Sequence, residues 1–319
     1  MVGLNVEPTP LIDVDGILAK LECVNPSGSV KDRIALYILQ KSEELGILRP
    51  GMRIVEATSG NTGIAMAYYG RKLGYEVTII MPEHMTDERK SIIKSMGAEL
   101  ILCSKEGSFA EAAAIRDEMA NWDPNFFSTD QFSNPLNVEC HRLTTGQELI
   151  EHVGVEINAF VAGVGTGGTL IGVGQALKAK YPNVHLVAVE PKESAVMSGG
   201  EAGSHIIFGI GDGFIPDIAS DGNGGLNPLI DEVIVISSHD ALEAAEELAA
   251  KHSLCVGISS GANYLAAKQL QKRFPVVATI FSDGAMKYQS YGLDLRARET
   301  CVFAEQCRKN VIDGRCLAN

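Results

Sequence analysis

Three short segments of this chain carry residues whose types and order could do chemistry. Lys31 lies in Asn25-Pro26-Ser27-Gly28-Ser29-Val30-Lys31-Asp32-Arg33, behind a turn and one turn into a predicted helix. A lysine amine attacks carbonyl carbon once burial or a nearby charge lowers its pKa. Taken alone, a lysine so placed is an ordinary solvated side chain. Two turns follow, Thr58-Ser59-Gly60-Asn61-Thr62-Gly63 and Gly163-Val164-Gly165-Thr166-Gly167-Gly168-Thr169. Each ends a strand-like run and opens a helix-like one, where backbone N–H groups without helical partners receive anions. The first turn adds the side-chain donors Thr58, Ser59, Asn61 and Thr62, which suit a carboxylate needing several directed hydrogen bonds. The same residue types are also favoured as plain N-caps. The second turn relies on backbone: Gly165, Gly167 and Gly168 leave room for a phosphate, and Thr166 and Thr169 add hydroxyls. In Gly257-Ile258-Ser259-Ser260-Gly261-Ala262, Ser259 offers a neutral hydroxyl to a ring nitrogen, or again an N-cap.

Two cofactor readings compete. Gly163, Gly165 and Gly168 satisfy G-x-G-x-x-G, and the strand pattern His185–Val189 ends in Glu190, about twenty residues on. That is the layout of an NAD(P)-dependent oxidoreductase, but it leaves Lys31 and Thr58–Gly63 with no shared task. An amine beside a phosphate cradle and a carboxylate cradle is what a pyridoxal-phosphate enzyme acting on an amino acid requires. The joint pattern favours pyridoxal 5'-phosphate as cofactor.

These segments sit on alternating strand and helix patterns. Strands are predicted at Met52–Glu56, Glu76–Met81, Glu99–Cys103, Ala159–Ala162, His185–Val189, Glu232–Ile236 and Val276–Phe281. Helices are predicted at Gly63–Leu73, Thr86–Met96, Phe109–Asn121, Leu170–Lys178, Ala241–Lys251 and Gly261–Phe274. Such alternation implies parallel sheets with helices on both faces. Asn134-Pro135-Leu136-Asn137 punctuates two such runs, and Met197–Gly225 is a long irregular connection of the kind that borders active sites. The 319 residues, 45% apolar, are ample for two lobes. A net charge of −13 argues against nucleic acid and anionic membrane surfaces. Seven cysteines with no C-x-x-C pair argue against a disulfide framework and a zinc site, although Cys301, Cys307 and Cys316 cluster near the end. Neither a signal pattern nor a membrane-length apolar run is present, so a cytoplasmic location is expected.

The chain resembles the cysteine synthase (O-acetylserine sulfhydrylase) and cystathionine β-synthase group of fold-type II pyridoxal-phosphate enzymes. The resemblance runs from Pro8-Thr9-Pro10-Leu11 to about Tyr288. It is carried by Asn25–Arg33, Thr58–Gly63, Met81-Pro82-Glu83 through Arg89-Lys90, Gln131-Phe132 with Asn134-Pro135, Gly165–Thr169, Gly209–Pro216 and Gly257–Ala262. It implies a two-lobed, open parallel-sheet α/β fold like that of the tryptophan synthase β-subunit. Residues 25–135 would form the smaller, mobile lobe, and residues 1–24 with 136–319 the larger, cofactor-binding one. Lys31 would form the Schiff base and later move the Cα proton. Gly165, Thr166, Gly167, Gly168 and Thr169 would hold the phosphate, Asn61 the ring hydroxyl oxygen, and Ser259 the pyridine nitrogen. Thr58, Ser59, Asn61, Thr62 and Gln131 would receive the substrate. The implied reaction is β-replacement on an O-activated L-serine through an α-aminoacrylate, with sulfide giving cysteine. Homocysteine, an amine, or release of sulfide from cysteine itself are variants of the same chemistry. Members are usually homodimers, and some bind serine acetyltransferase.

The chain departs from the pattern at Pro8, Phe208 and Asp212. In the family the last two positions lie near the side where a second substrate enters, so the resemblance implies that they bear on the nucleophile more than on the cofactor. No Arg stands near Phe208 in the sequence, which argues against a phosphoserine donor.

Overall fold

The computed structural model describes residues 4–58, 60–105 and 108–293, together with two short strands at 311–312 and 315–316. In chain order the elements are β1 (Leu11–Val14), β2 (Ile17–Leu21), α1 (Lys31–Glu44), β3 (Arg53–Ala57), α2 (Asn61–Lys72), β4 (Glu76–Pro82) and α3 (Asp87–Ser95). They continue with β5 (Glu99–Cys103), α4 (Ser108–Trp122), β6 (Phe126–Ser128), α5 (Pro135–Leu143), α6 (Thr145–Val153), β7 (Ala159–Gly163), α7 (Gly168–Lys180) and β8 (His185–Pro191). Last come β9 (Glu232–Ile236), α8 (Ser238–His252), α9 (Ile258–Leu270), β10 (Val277–Phe281), β11 (Val311–Ile312) and β12 (Arg315–Cys316).

Two sheets organise these elements. A four-stranded sheet runs β5-β4-β3-β6, all parallel. A six-stranded sheet runs β1-β2-β10-β7-β8-β9, parallel except where β1 pairs antiparallel with β2. Alternation along the strands sorts side chains to two covered faces, as parallel sheets demand. In the smaller sheet Ile54, Val77 and Ile79 pack with Ile34, Ile38 and Ile64 of α1 and α2. Val55, Ala57 and Ile80 face Ala112 of α4 on the other side. In the larger sheet Ile17, Val161 and Val187 pack with α8 and α9, while Phe160, Leu186 and Ala278 pack with α6 and α7.

The sequence expectation of parallel sheets holds with one addition, the β1–β2 hairpin. Its two-residue turn is Asp15-Gly16, both at positive φ (54° and 79°), the geometry of a type I′ hairpin. Lys31 is the first residue of α1 rather than a full turn inside it. The region around Asn134 is the start of a helix, with the Asn134 side chain accepting from the Leu136 N–H and Pro135 in the first turn.

Buried charge fixes α1. Arg33, two residues past Lys31, donates to Glu22 at 2.7 Å and to Glu148 at 2.6 Å, and Lys20 meets Glu148 at 2.5 Å. Burial alone would raise the Glu22 carboxyl, but the Arg33 guanidinium outweighs it and holds the group down at about 2.

Candidate active site

The loops at the carboxyl ends of β3, β7 and β10 converge on one cavity, where open parallel sheets place their ligands. Its walls include Lys31, Thr58, Asn61, Thr62, Gln131, Gly165, Thr166, Gly167, Thr169 and Ser259. The structure therefore brings together residues that the sequence spreads over 229 positions. Gly168 lies just behind the wall as the first residue of α7. Ser59 lies outside the described residues, as do Cys301 and Cys307, while Cys316 falls on β12.

Lys31 is half-buried at the start of α1. The turn before it is set by Asp32, whose carboxylate accepts from the Ser27 N–H (2.6 Å), the Ser27 hydroxyl (2.5 Å) and the Ser29 N–H (3.3 Å). Desolvation pulls the Lys31 amine below its ordinary value, and Asp212 opposes that shift. A lowered amine spends more time neutral, the form that attacks carbonyl carbon.

The anion cradle opens α7. Among the described residues, the N–H groups of Gly165, Thr166 and Gly167 have no protein partner. The glycines are required by backbone approach. A Cβ on Gly165 would fall 2.2 Å from the Gly209 carbonyl oxygen, and one on Gly168 would fall 1.9 Å from Asn137 Oδ1. Gly167 sits at φ +85°, which L side chains rarely adopt. Asn137 Nδ2 donates to the Thr166 hydroxyl at 2.9 Å, and His141 Nε2 lies 3.2 Å from the Thr169 hydroxyl. Burial drives His141 down to about 3, so it stands neutral behind the cradle. Free amides, two hydroxyls and space kept by glycine fit the phosphate of pyridoxal 5'-phosphate.

Other donors face the remainder of such a ligand. Ser259, in the first turn of α9, is buried on the cavity floor, and its hydroxyl makes no hydrogen bond to another described residue. Asn263 clamps that helix, accepting from the Gly163 N–H (2.8 Å) and donating to the Ile280 carbonyl (2.8 Å). Asn61 donates to Asp283 (2.8 Å) and accepts from Lys287 (2.8 Å), which leaves one amide hydrogen to offer. Thr62 spends its hydroxyl on Gln131 Oε1 (2.7 Å) and thereby turns the Gln131 NH2 group away to serve as a donor. Thr58 Oγ1 accepts from the Gly60 N–H (3.1 Å), keeping its own proton to give.

Several residues here escaped the sequence reading. Lys287 is buried and bridges the Gly28 carbonyl (3.0 Å) and Asn61. Asp283 holds Asn61 and the Tyr288 hydroxyl (2.9 Å). Nothing local in the sequence marks these residues, because the partners that tie them to the cavity, Asn61 and Gly28, lie more than 200 positions away. The absence of Arg near Phe208 does not hold in space: the Arg89 guanidinium lies 4.7 Å from the Phe208 ring centre. Glu190, the acid of the dinucleotide pattern, is fully buried and accepts from the Met197 (2.8 Å) and Ser198 (2.9 Å) N–H groups. It closes a turn and does not face the cavity.

Residues 2–283 match the family described as pyridoxal-phosphate dependent enzyme. Over 278 residues the chain is 45% identical to a cysteine synthase of Staphylococcus aureus strain Mu50, covering 84% of this chain and 86% of that protein. A cysteine synthase structure from Entamoeba histolytica superposes with a TM-score of 0.83 at 38% identity, covering 90% of this chain and 88% of that one. A hydrogen sulfide-producing enzyme from Fusobacterium nucleatum superposes equally well, TM-score 0.83 at 41% identity, over 90% of this chain and 89% of that one. Among the described residues no helix is long and apolar enough to cross a membrane.

Proposed function

The chain belongs to the pyridoxal-phosphate dependent enzymes, and from that premise we propose that it makes L-cysteine and acetate from O-acetyl-L-serine and sulfide. One observation carries the reading: an amine, a phosphate cradle and a set of carboxylate donors line a single cavity. When bound, the cofactor supplies the electron sink that lets the β leaving group depart. Lys31 would hold the cofactor through its amine and would then be placed to move the proton at the substrate Cα. The Gly165–Thr169 turn would anchor the phosphate, and Ser259 would donate to the ring nitrogen as a neutral hydroxyl that brings no charge to the ring. Thr58, Ser59, Thr62 and Gln131 orient the substrate carboxylate, and Asn61 the ring oxygen. Residues 25–135 act as a smaller lobe that closes on substrate, a reading supported by the separate sheet β3–β6. We extend the proposal to a cytoplasmic homodimer with serine acetyltransferase as a partner, to be checked by light scattering alone and with that enzyme.

Asp212 favours a second reading, release of sulfide from cysteine. It lines the cavity, and its carboxylate makes no hydrogen bond or ion pair with a described residue. Burial raises its pKa, and Lys31 and His205 oppose the rise. A carboxylate there repels hydrosulfide and accepts the proton of a neutral nucleophile, water or a second cysteine thiol, that takes the place of the departing hydrosulfide at the substrate Cβ. A structural relative is named for hydrogen sulfide production.

The test mixes the yellow holoenzyme with O-acetyl-L-serine and sulfide, or with L-cysteine alone, and identifies products by mass. Cysteine from the first mixture supports the first reading, and sulfide released faster from the second supports the other. Lys31→Ala should abolish both activities while leaving the fold intact. Steady-state turnover at a normal rate in that variant would refute the role of Lys31.

A further inference from the structure

Arg89 on α3 is 1% exposed, yet its charge meets no carboxylate within 4 Å among the described residues. Its hydrogen bond to the Thr86 hydroxyl is long, at 3.3 Å. The guanidinium instead stacks over Phe208 (4.7 Å to the ring centre) and Tyr288 (4.9 Å). Two aromatic faces offset part of the desolvation of a buried cation, but much less than a carboxylate would. Arg89 also presses on Gly60, where a Cβ would fall 2.6 Å from Nε.

Gly60 is the residue that opens α2, a helix of twelve residues whose first turn has no side-chain cap. The N-terminus of a helix carries partial positive charge, so a cation beside it is repelled. An unpaired buried guanidinium and a helix N-terminus thus converge on one turn. Thr58 and Thr62 of that turn line the cavity with Gln131. The nearby Asp283 carboxylate is already engaged by Asn61 and the Tyr288 hydroxyl, and neither positive source has an ion pair of its own, which describes a place prepared for a further anion.

We propose that Arg89 is a positioning residue for the substrate's α-carboxylate, acting through Gly60 and the start of α2: its charge favours the anion from behind, and its bulk against Gly60 sets where Thr58, Asn61 and Thr62 point. The proposal rests on the reading of that turn as the carboxylate site. Adjacent contacts tie the device to the far side of the cleft. Glu88, next to Arg89, accepts from the Ser290 N–H (2.8 Å), so α3 is docked on the segment that carries Tyr288.

Calorimetry of the holoenzyme with L-alanine and with L-alaninamide tests this, since the two ligands share the amine and differ in the carboxylate. The wild type should prefer L-alanine, and Arg89→Met should cut that preference about tenfold, the effect of losing a nearby buried charge. Arg89→Lys, which keeps charge but not the planar stack, should retain most of the preference. A merely structural Arg89 would lower the melting temperature of both variants and leave the preference unchanged; that result overturns the proposal. If Arg89→Met does not fold, loss of the preference in a folded Arg89→Gln supports the proposal, and its retention refutes it. A wild type that shows no preference would instead overturn the carboxylate assignment of the turn.

Discussion

Replacing Arg33 by Met should destabilise the protein by about 3–5 kcal/mol, the usual result of removing one partner from a buried ion pair. Glu22 is fully buried, and in the variant it keeps Asn25 Nδ2 (2.7 Å), the Thr9 hydroxyl (2.7 Å) and the weaker pull of Lys20 but loses its paired guanidinium. The wild-type magnitude follows from its titration. The carboxyl falls from 4.5 to about 2 on folding. At 1.36 kcal/mol per pH unit that gap is worth about 3 kcal/mol. A depressed carboxyl contributes stability that is present above its unfolded pKa and lost as pH falls through its folded one. Wild-type stability from this group should therefore drain away between about pH 4.5 and pH 2. In Arg33→Met the carboxyl, left buried without its paired guanidinium, titrates higher, and this acid limb should shrink or vanish. Urea denaturation at half-unit pH steps measures both effects. A variant within 1 kcal/mol of wild type at neutral pH, with an unchanged acid limb, would show that Arg33 does not hold Glu22 ionised. Because Arg33 follows Lys31 on the same helix, the variant should also blur the placement of the amine and slow turnover.

Gly168→Ala should cost at least tenfold in affinity for pyridoxal 5'-phosphate, measured by dialysis and absorbance, since its Cβ would collide with Asn137 Oδ1 at 1.9 Å; unchanged affinity would refute the tight cradle. Asp212→Asn should lower sulfide release from cysteine more than cysteine synthesis, assayed side by side; equal losses would count against a proton-accepting role. Glu56 is buried, and burial, outweighing the Thr129 hydroxyl and Arg116, raises it to about 7. Stability from its protonated form is full below about pH 4.5 and is lost as pH rises through 7, so Glu56→Gln should flatten this slope by about 3 kcal/mol, followed by denaturation at pH 5 and pH 8. A slope that persists in the variant would locate it elsewhere.

Much of the site was legible in the sequence because it is local. A glycine turn between a strand and a helix leaves N–H groups without partners, and Gly165, Thr166 and Gly167 do so here. The hidden part is long-range. Lys287 and Asp283 act on a turn more than 200 positions away and Arg89 on one 29 positions earlier in the chain, and a lysine inside Gly284-Ala285-Met286-Lys287-Tyr288 gives no sign of its partner. In the fold, the alternating elements were evident to within a few residues. The β1–β2 hairpin was missed although Asp15-Gly16 is a hairpin signal, because its strands are only four and five residues long. The three residues of β6 give no periodicity at all. Helices α5 and α6 were overlooked because Thr144, at φ −114° and ψ −83°, breaks their common period after nine residues.

The close packing of Gly165 on the Gly209 carbonyl has a bearing on how such a catalyst diversifies. The Gly211 N–H also donates to the Val164 carbonyl at 3.0 Å, so the strand of chain bearing Phe208 and Asp212 is stitched to the phosphate turn. An ancestral lineage could not reshape that stretch by insertion or deletion without loosening the coenzyme. New acceptor preferences would have to arise by exchanging side chains on a frozen main chain, and Phe208 and Asp212 are where such exchanges would leave their mark.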